Sequence, residues 1–320
     1  MPKAQLKQIA QRVIAEEAEA ILKLSERIND DFADAVEVIL KSERRLIVTG
    51  IGKSANIATK IVATLNSTGT PSVFMHAADA IHGDLGIIQP GDIVMCISKS
   101  GNTPEIKVLI PIVKSMGNKL IANVGNVESF LAKNADFVLN SSVDKEACPN
   151  NLAPTSSTTA QLVMGDALAV ALQEMRGFTD QDFAKYHPGG ALGKQLYLRV
   201  EDLCIHNQVP KVSPEAGIRE ILLEISEKRL GATAVIDNDN IVGIITDGDI
   251  RRTMQNHSDV SRLIAKDIMG KGPKTINAET LAVEALHLMK EKNITQLLVE
   301  KNHQYFGVIH LHDILREGIL

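Results

Sequence analysis

Three hydroxyl side chains, a lysine and a glycine crowd into the six residues "SKSGNT", from Ser98 to Thr103. An apolar run, Ile93 to Ile97, precedes them, and Pro104 and Glu105 follow. A helix N-terminus leaves backbone N–H groups unpaired and carries partial positive charge. With hydroxyl donors beside it, such an end is a ready anion site. Pro104 suits a first helical turn, which puts Thr103 at the N-cap. The stretch reads either as a capped polar turn or as a phosphate cradle. Ser98, Ser100 and Thr103 together with Gly101, where a strand gives way to a helix, favour the phosphate.

Two further stretches are of the same kind. "TGIGKSA" (49–55) is glycine-rich and ends an apolar run. It is not a nucleotide P-loop, because Ile47 stands where that pattern needs its first glycine, and Ala55 breaks the dinucleotide fingerprint. Lys53 is left as either a solvated helix-start lysine or a partner for a small anionic or hydroxylated ligand. "APTSSTTA" (153–160) gathers Thr155, Ser156, Ser157, Thr158 and Thr159 ahead of an apolar helical run. Capping accounts for one or two of these hydroxyls.

Acid–base candidates are sparse. Of nine histidines, the first 197 residues hold only His76, His82 and His187, in "HAADAIHGD" and "HPGG". Imidazole both takes and gives protons near neutrality. Glu105 follows the hydroxyl loop, where it is either a carboxylate welcome in a helix's first turn or a base beside a bound phosphosugar. Cys96, Cys148 and Cys204 have no metal-ligand spacing, and their odd number fits a reducing, cytoplasmic setting.

These residues need elements to hold them. "RLIVTG" (45–50), "PSVFM" (71–75), "DIVMCIS" (92–98), "KLIANVG" (119–125) and "DFVLN" (136–140) read as strands. Helical patterns alternate with them: 54 to about 65, a stretch through His82, 104 to about 116, and a short helix after 125. Continuous Val/Ile runs alternating with helices imply an α/β fold with a parallel sheet covered on both faces. Ligands in such sheets bind at strand carboxyl ends, often at a topological switch point. The N-terminal stretch, with Leu6, Ile9, Val13, Ile14, Ile21 and Leu24, is an amphipathic helix packing on the core or on a second subunit. The run from Ala160 to Met175 is too short to span a bilayer comfortably and reads as a buried or intersubunit helix.

The tail repeats itself. "GIITDGDIRR" (243–252) aligns with "GVIHLHDILR" (307–316), and "VEDLC" (200–204) resembles "AKDIM" (265–269). Two copies of about 60 residues make a paired module. We place domains at 1–197, 198–258 and 259–320. The 320 residues are 44% hydrophobic and 23% charged, with net charge −5 and 3% aromatics. That balance is globular and offers neither a basic field nor stacking rings for nucleic acid. No stretch reads as a signal peptide or membrane span.

Taken together, "TGIGKSANIATKIVATLNSTGTPS", "HAADAIHGDLG", "SKSGNTPEI", "KEACPNNLAPTSSTTAQLVMGDALAVAL" and "HPGGALGK" resemble a sugar isomerase (SIS) domain. More narrowly they resemble the D-arabinose 5-phosphate isomerases, which serve 3-deoxy-D-manno-octulosonate (Kdo) synthesis. The tail resembles a tandem pair of cystathionine-β-synthase (CBS) domains. The resemblance implies a doubly wound SIS-type sheet with a C-terminal CBS pair. It also implies interconversion of D-ribulose 5-phosphate and D-arabinose 5-phosphate in the cytoplasm by a homotetramer, with no required cofactor. Lys53, His82, Glu105 and His187 match the family's functional positions, and Glu146 is a further polar position of the pocket. Gly69, Thr70, Ser54, Ser98, Ser100, Thr103, Thr155, Ser156, Ser157 and Thr158 match positions lining the substrate and phosphate pocket. His76 matches a position associated with an inhibitory zinc. Thr246 and Asp249 retain the pair with which CBS domains hold adenine nucleotides, while the second copy has His310 with Asp313. The pair is either a packing module or a sensor of a nucleotide or pathway metabolite. The alternatives for the whole chain are a non-catalytic sugar-phosphate sensor and an isomerase of another phosphorylated sugar.

Overall fold

The computed structural model describes residues 2–319. The chain divides into two compact units, one ending at Tyr186 and one beginning at His187.

In the first unit, α1 (Lys3–Ser25) and α2 (Asp30–Lys41) lead into β1 (Leu46–Gly50), α3 (Lys53–Ser67), β2 (Ser72–His76) and α4 (Ala77–Ala80). Then come β3 (Ile93–Ser98), α5 (Pro104–Ser115), β4 (Lys119–Val124), α6 (Phe130–Asn134), β5 (Phe137–Asn140), α7 (Ser156–Met175) and α8 (Asp180–Tyr186). The five strands are parallel, in the order β2-β1-β3-β4-β5. Side chains alternate across them. Leu46, Val48, Met95 and Ile121 pack with α2, α3 and α7 on one face. Ile47, Val94, Cys96 and Leu120 pack with α4, α5 and α6 on the other. Each buried Leu or Ile contributes roughly 1.5–3 kcal/mol, and burial on both faces is why the strands read as unbroken apolar runs. The order in which strands are added reverses between β1 and β3, so the switch point lies at their carboxyl ends.

Two elements depart from expectation, and α1 is covered only in part within one chain. The stretch predicted helical through His82 is helical only over α4, because Gly83 takes φ +139° and the chain turns. Helix α7 begins at Ser156, four residues before the apolar run, so the hydroxyl cluster forms its first turn. Helix α1 buries only Leu24, and Leu6, Ile9, Ile14 and Leu22 are exposed.

The second unit runs α9 (Ala191–Tyr197), α10 (Val200–Cys204), β6 (Lys211–Val212), α11 (Ile218–Lys228), β7 (Ala232–Asp237), β8 (Asn240–Thr246) and α12 (Asp247–Asn256). A second series follows: α13 (Ala265–Ile268), β9 (Thr275–Asn277), α14 (Ala282–Lys292), β10 (Gln296–Lys301), β11 (Gln304–His310) and α15 (Leu311–Arg316). Each repeat forms a three-stranded sheet, β6-β7-β8 and β11-β10-β9. The short leading strands β6 and β9 carry too few residues to show a period in the sequence. The leading helices are exchanged between repeats. Val200 and Leu203 of α10 pack with Ala285, Leu297 and Ile309 of the second repeat, and the Val200 N–H donates to the Thr280 carbonyl at 2.9 Å. Ala265 of α13 packs with Ile221, Val235 and Ile245 of the first repeat, and its N–H donates to the Ala216 carbonyl at 2.9 Å.

Candidate active site

A cleft of about 350 Å³ opens where β1 and β3 end. Ile51, Lys53 and Ser54 line it from the loop after β1, and Ser98, Lys99, Ser100 and Thr103 from the loop after β3. Pro154, Ser157, Thr158 and Gln161 form the wall from the start of α7. All three hydroxyl- or glycine-bearing stretches therefore meet at the switch point of the sheet.

The loops approach closely because of two glycines. A Cβ on Gly50 would stand 3.1 Å from the Ile97 carbonyl oxygen, so a side chain there would push the β1 and β3 ends apart. Gly101 takes φ +65°, and a Cβ on it would collide with the Ser129 hydroxyl. Two of the loop hydroxyls are used locally: Ser98 Oγ accepts the Gly101 N–H at 3.0 Å and Ser100 Oγ accepts the Asn102 N–H at 3.3 Å. Thr103 is different. It occupies the N-cap of α5 with extended backbone, yet its side chain caps nothing, and its buried Oγ1 has no hydrogen-bond partner. Ser157 Oγ, on the opposite wall, is likewise buried and makes no hydrogen bond of ordinary length, though it lies close enough to the Glu146 carboxylate to help hold that group's pKa down. Buried hydroxyls are nearly always paired, and the Thr103 hydroxyl, lining the cleft without a partner, has its proton available to a ligand's acceptor oxygen.

Behind the α7 wall lies Glu146, 3% exposed. Its carboxylate accepts the Thr155 N–H at 2.8 Å, the Thr155 hydroxyl at 3.2 Å and the Ser157 N–H at 3.1 Å. Lys99 Nζ donates to its other oxygen at 2.5 Å. Burial alone would push this carboxyl up, but the Lys99 ammonium, the Ser157 hydroxyl and the Thr155 and Ser157 amides outweigh it and hold the group down at about 2. Thr155 also accepts the Ala147 N–H at 3.0 Å, and Thr158 donates to the Thr155 carbonyl at 2.8 Å. Ser156 is buried behind the cleft with its hydroxyl unpartnered. Ser54 donates to Gln161 Oε1 at 3.1 Å, joining the β1 loop to α7.

The remaining expected residues stand elsewhere. Glu105 is half-buried in the first turn of α5, two residues past Thr103, and its carboxylate makes no hydrogen bond or ion pair among the described residues. His82 is exposed in the turn after α4. Gly69 and Thr70 precede β2, at the amino ends of the strands, where Arg176 donates to the Gly69 carbonyl and to the Thr70 hydroxyl. Within one chain they are not brought to this cleft. His187 is the first residue of the second unit, in the turn before α9. His76 ends β2 with Nδ1 3.6 Å from Asp79 Oδ2. Structural zinc takes four ligands, and among the described residues no group of three or more His, Cys, Asp and Glu side chains is arranged to hold a metal. Lys99 and Gln161 line the cleft although sequence reasoning passed them over. The signal for Lys99 was its place between two serines of the hydroxyl loop.

In the second unit, Thr246 and Asp249 bond each other as a capping box, with Thr246 Oγ1 and Asp249 Oδ2 2.6 Å apart. In the second repeat, the Asp313 carboxylate accepts the His310 N–H at 2.9 Å and the Asn207 amide at 2.7 Å. His310 Nδ1 accepts the His312 N–H at 3.1 Å. A cleft of about 520 Å³ there is lined by Asn207, Arg229, Asp247, His310, Asp313 and Arg316 among others.

Comparison with known proteins agrees with this architecture. The SIS domain family model matches residues 39–171, and the CBS domain model matches 200–256 and 265–319. The fold is thus an α/β SIS domain with a parallel central sheet, followed by a CBS pair. Arabinose 5-phosphate isomerase KdsD of Yersinia pestis is 47% identical over 322 residues, covering 100% of this chain and 98% of the relative. Its counterpart in Pseudomonas aeruginosa is 47% identical over 314 residues, 97% of this chain and 96% of the relative. The solved structure of an Escherichia coli CFT073 protein in complex with arabinose 5-phosphate matches at 39% identity and TM-score 0.57, covering 59% of this chain and 100% of that one. The chain belongs to the arabinose 5-phosphate isomerase family.

Proposed function

We propose that the protein is an aldose–ketose isomerase that interconverts D-ribulose 5-phosphate and D-arabinose 5-phosphate, supplying Kdo synthesis. Full-length likeness to named isomerases supports the reaction. The observation that carries the site is the unpartnered buried hydroxyl of Thr103, lining the switch-point cleft that the loops after β1 and β3 form with the start of α7. The phosphate sits among Ser98, Ser100, Thr103, Ser157 and Thr158, remote from the reacting carbons. Its binding energy positions C1 and C2 and excludes water from them.

Isomerisation moves one proton between C1 and C2 through an enediol(ate) and a second between the two oxygens. Glu105 carries the carbon proton: its carboxylate takes it from C1 of the ketose and returns it to C2. Lys53 and His82 hold and polarise the sugar oxygens, and His187 serves ring opening and the oxygen-side proton. Glu146, whose carboxylate already accepts four hydrogen bonds, is a positioning residue behind the cleft. No cofactor takes part. The enzyme works in the cytoplasm as a homotetramer, in which the exposed Leu6, Ile9, Ile14 and Leu22 of α1 meet a neighbour. The CBS pair binds a nucleotide or pathway metabolite as a regulator, with domains at 1–197, 198–258 and 259–320.

The test is incubation with ribulose 5-phosphate in D₂O, followed by NMR. The wild type makes arabinose 5-phosphate and takes up deuterium at the sugar carbon. Glu105→Gln loses the uptake while still binding inorganic phosphate. Full exchange in that variant would sink the role given to Glu105, and absence of conversion of any pentose phosphate by the wild type would leave the sensor reading or an isomerase of another phosphorylated sugar.

A further inference from the structure

Lys99 is a charge in the middle of the hydroxyl loop, and its ammonium does not stand free over the cleft. It is bonded at 2.5 Å to a carboxylate, Glu146, that is almost wholly buried and lies 47 residues away in sequence. That carboxylate is tied in turn to the amides of Thr155 and Ser157, at the start of the α7 wall. The positive end of α7 is therefore already occupied by an internal anion. A phosphate entering the cleft must come near it, because Ser157 both lines the cleft and binds Glu146. An uncompensated carboxylate behind a phosphate site would repel the dianion through a medium of low polarisability. The side chain of Lys99 keeps 45% of its surface exposed while holding that carboxylate, so it lies on the ligand's side of the charge it cancels.

We infer that Lys99 is a positioning residue of the phosphate site: it neutralises the Glu146 carboxylate, so that the negative group that anchors α7 does not repel the bound phosphate. This rests on the isomerase reading only for the identity of the natural substrate, since inorganic phosphate probes the charge balance by itself.

A charge-balance role and a purely mechanical tie between the two walls predict different results in a double-mutant cycle. Phosphate binding is measured by calorimetry on the full chain, together with KM and kcat for ribulose 5-phosphate. Lys99→Met leaves the carboxylate uncompensated and weakens phosphate binding by roughly ten- to a few hundredfold, the scale of one unit charge acting on a mono- or dianion over ~10 Å at an effective dielectric near 20. The loss appears in KM more than in kcat. Adding Glu146→Gln removes the stranded charge, and binding returns to within about threefold of wild type. Lys99→Arg keeps the charge and stays close to wild type. Glu146→Gln alone leaves Lys99 unneutralised and binds phosphate at least as tightly as wild type, and this comparison decides the matter if Lys99→Met does not fold. A double variant no better than Lys99→Met, or a weaker Glu146→Gln, would overturn the inference in favour of a mechanical tie. Phosphate binding that follows the charge pattern in a protein that turns over no pentose phosphate would leave the inference standing and remove the isomerase reading.

Discussion

Replacing Thr103 by valine separates the two jobs its hydroxyl could have. Valine keeps the β-branched shape and accepts the extended backbone (φ −64°, ψ 153°) found at this N-cap. If the hydroxyl caps α5, its removal costs about 1 kcal/mol of stability, the usual scale of a lost N-cap. The structure shows no such cap bond, only a buried oxygen with no partner. Removing an unsatisfied buried polar group relieves a desolvation cost of about 1–3 kcal/mol, so stability should hold or rise. Ligand binding goes the other way. A hydroxyl donating to a phosphate oxygen makes a hydrogen bond to a charged group, about 1.5–3 kcal/mol. KM for the sugar phosphate should therefore rise about ten- to a hundredfold. Urea denaturation gives the first quantity and initial-rate kinetics the second. A variant less stable by about 1 kcal/mol or more, with unchanged KM, would refute the phosphate role and restore the capped turn.

Gly101→Ala combines a left-handed φ with a Cβ that collides with Ser129 Oγ, and should cost about 2–5 kcal/mol in a denaturation experiment, with loss of phosphate affinity as the loop shifts. Acid should also weaken the first unit through Glu146, whose folded value of about 2 lies below its ordinary 4.5. Between those values the unfolded chain binds the extra proton, so the contribution is complete above about pH 4.5 and fades as pH falls toward 2. Glu146→Gln should flatten that part of the stability–pH curve measured by urea melts. Asp92 falls in the same class: burial raises it, but Arg45, at 2.7 Å, and the Gln89 and Arg45 amides lower it further. Arg45→Met should therefore cost stability at neutral pH and much less once Asp92 is protonated.

The sheet was legible because its strands are buried on both faces, which writes them as apolar runs such as Ile93–Ile97, and strand-to-helix order then placed the loops at carboxyl ends. The gathering of Lys53, Ser98 and Thr103 followed from that geometry. What stayed hidden depends on pairing across distance. Nothing local marks Lys99 and Glu146 as partners, since an ion pair leaves no period in the sequence. The true start of α7 was obscured because Ser and Thr are poor helix formers, and the carboxylate that stabilises this end comes from another loop. Gly69 and Thr70 were placed in the pocket by likeness alone, whereas β2 is entered from the amino end of the sheet, where Thr70 meets Arg176.

The crossed placement of α10 and α13 sets the order in which the tail can be made. As the chain leaves the ribosome, the first repeat appears with a vacant seat that only α13 fills, and α10 waits for a sheet not yet synthesised. The first core cannot close until α13 is out, and the second not until β11 and α15 are, so the tail should mature late. A stop near residue 258 would strand α10 and leave the first sheet open, exposing Val235 and Ile245 to aggregation. The two copies are thus bound into one cooperative unit, and a break in either is felt by both.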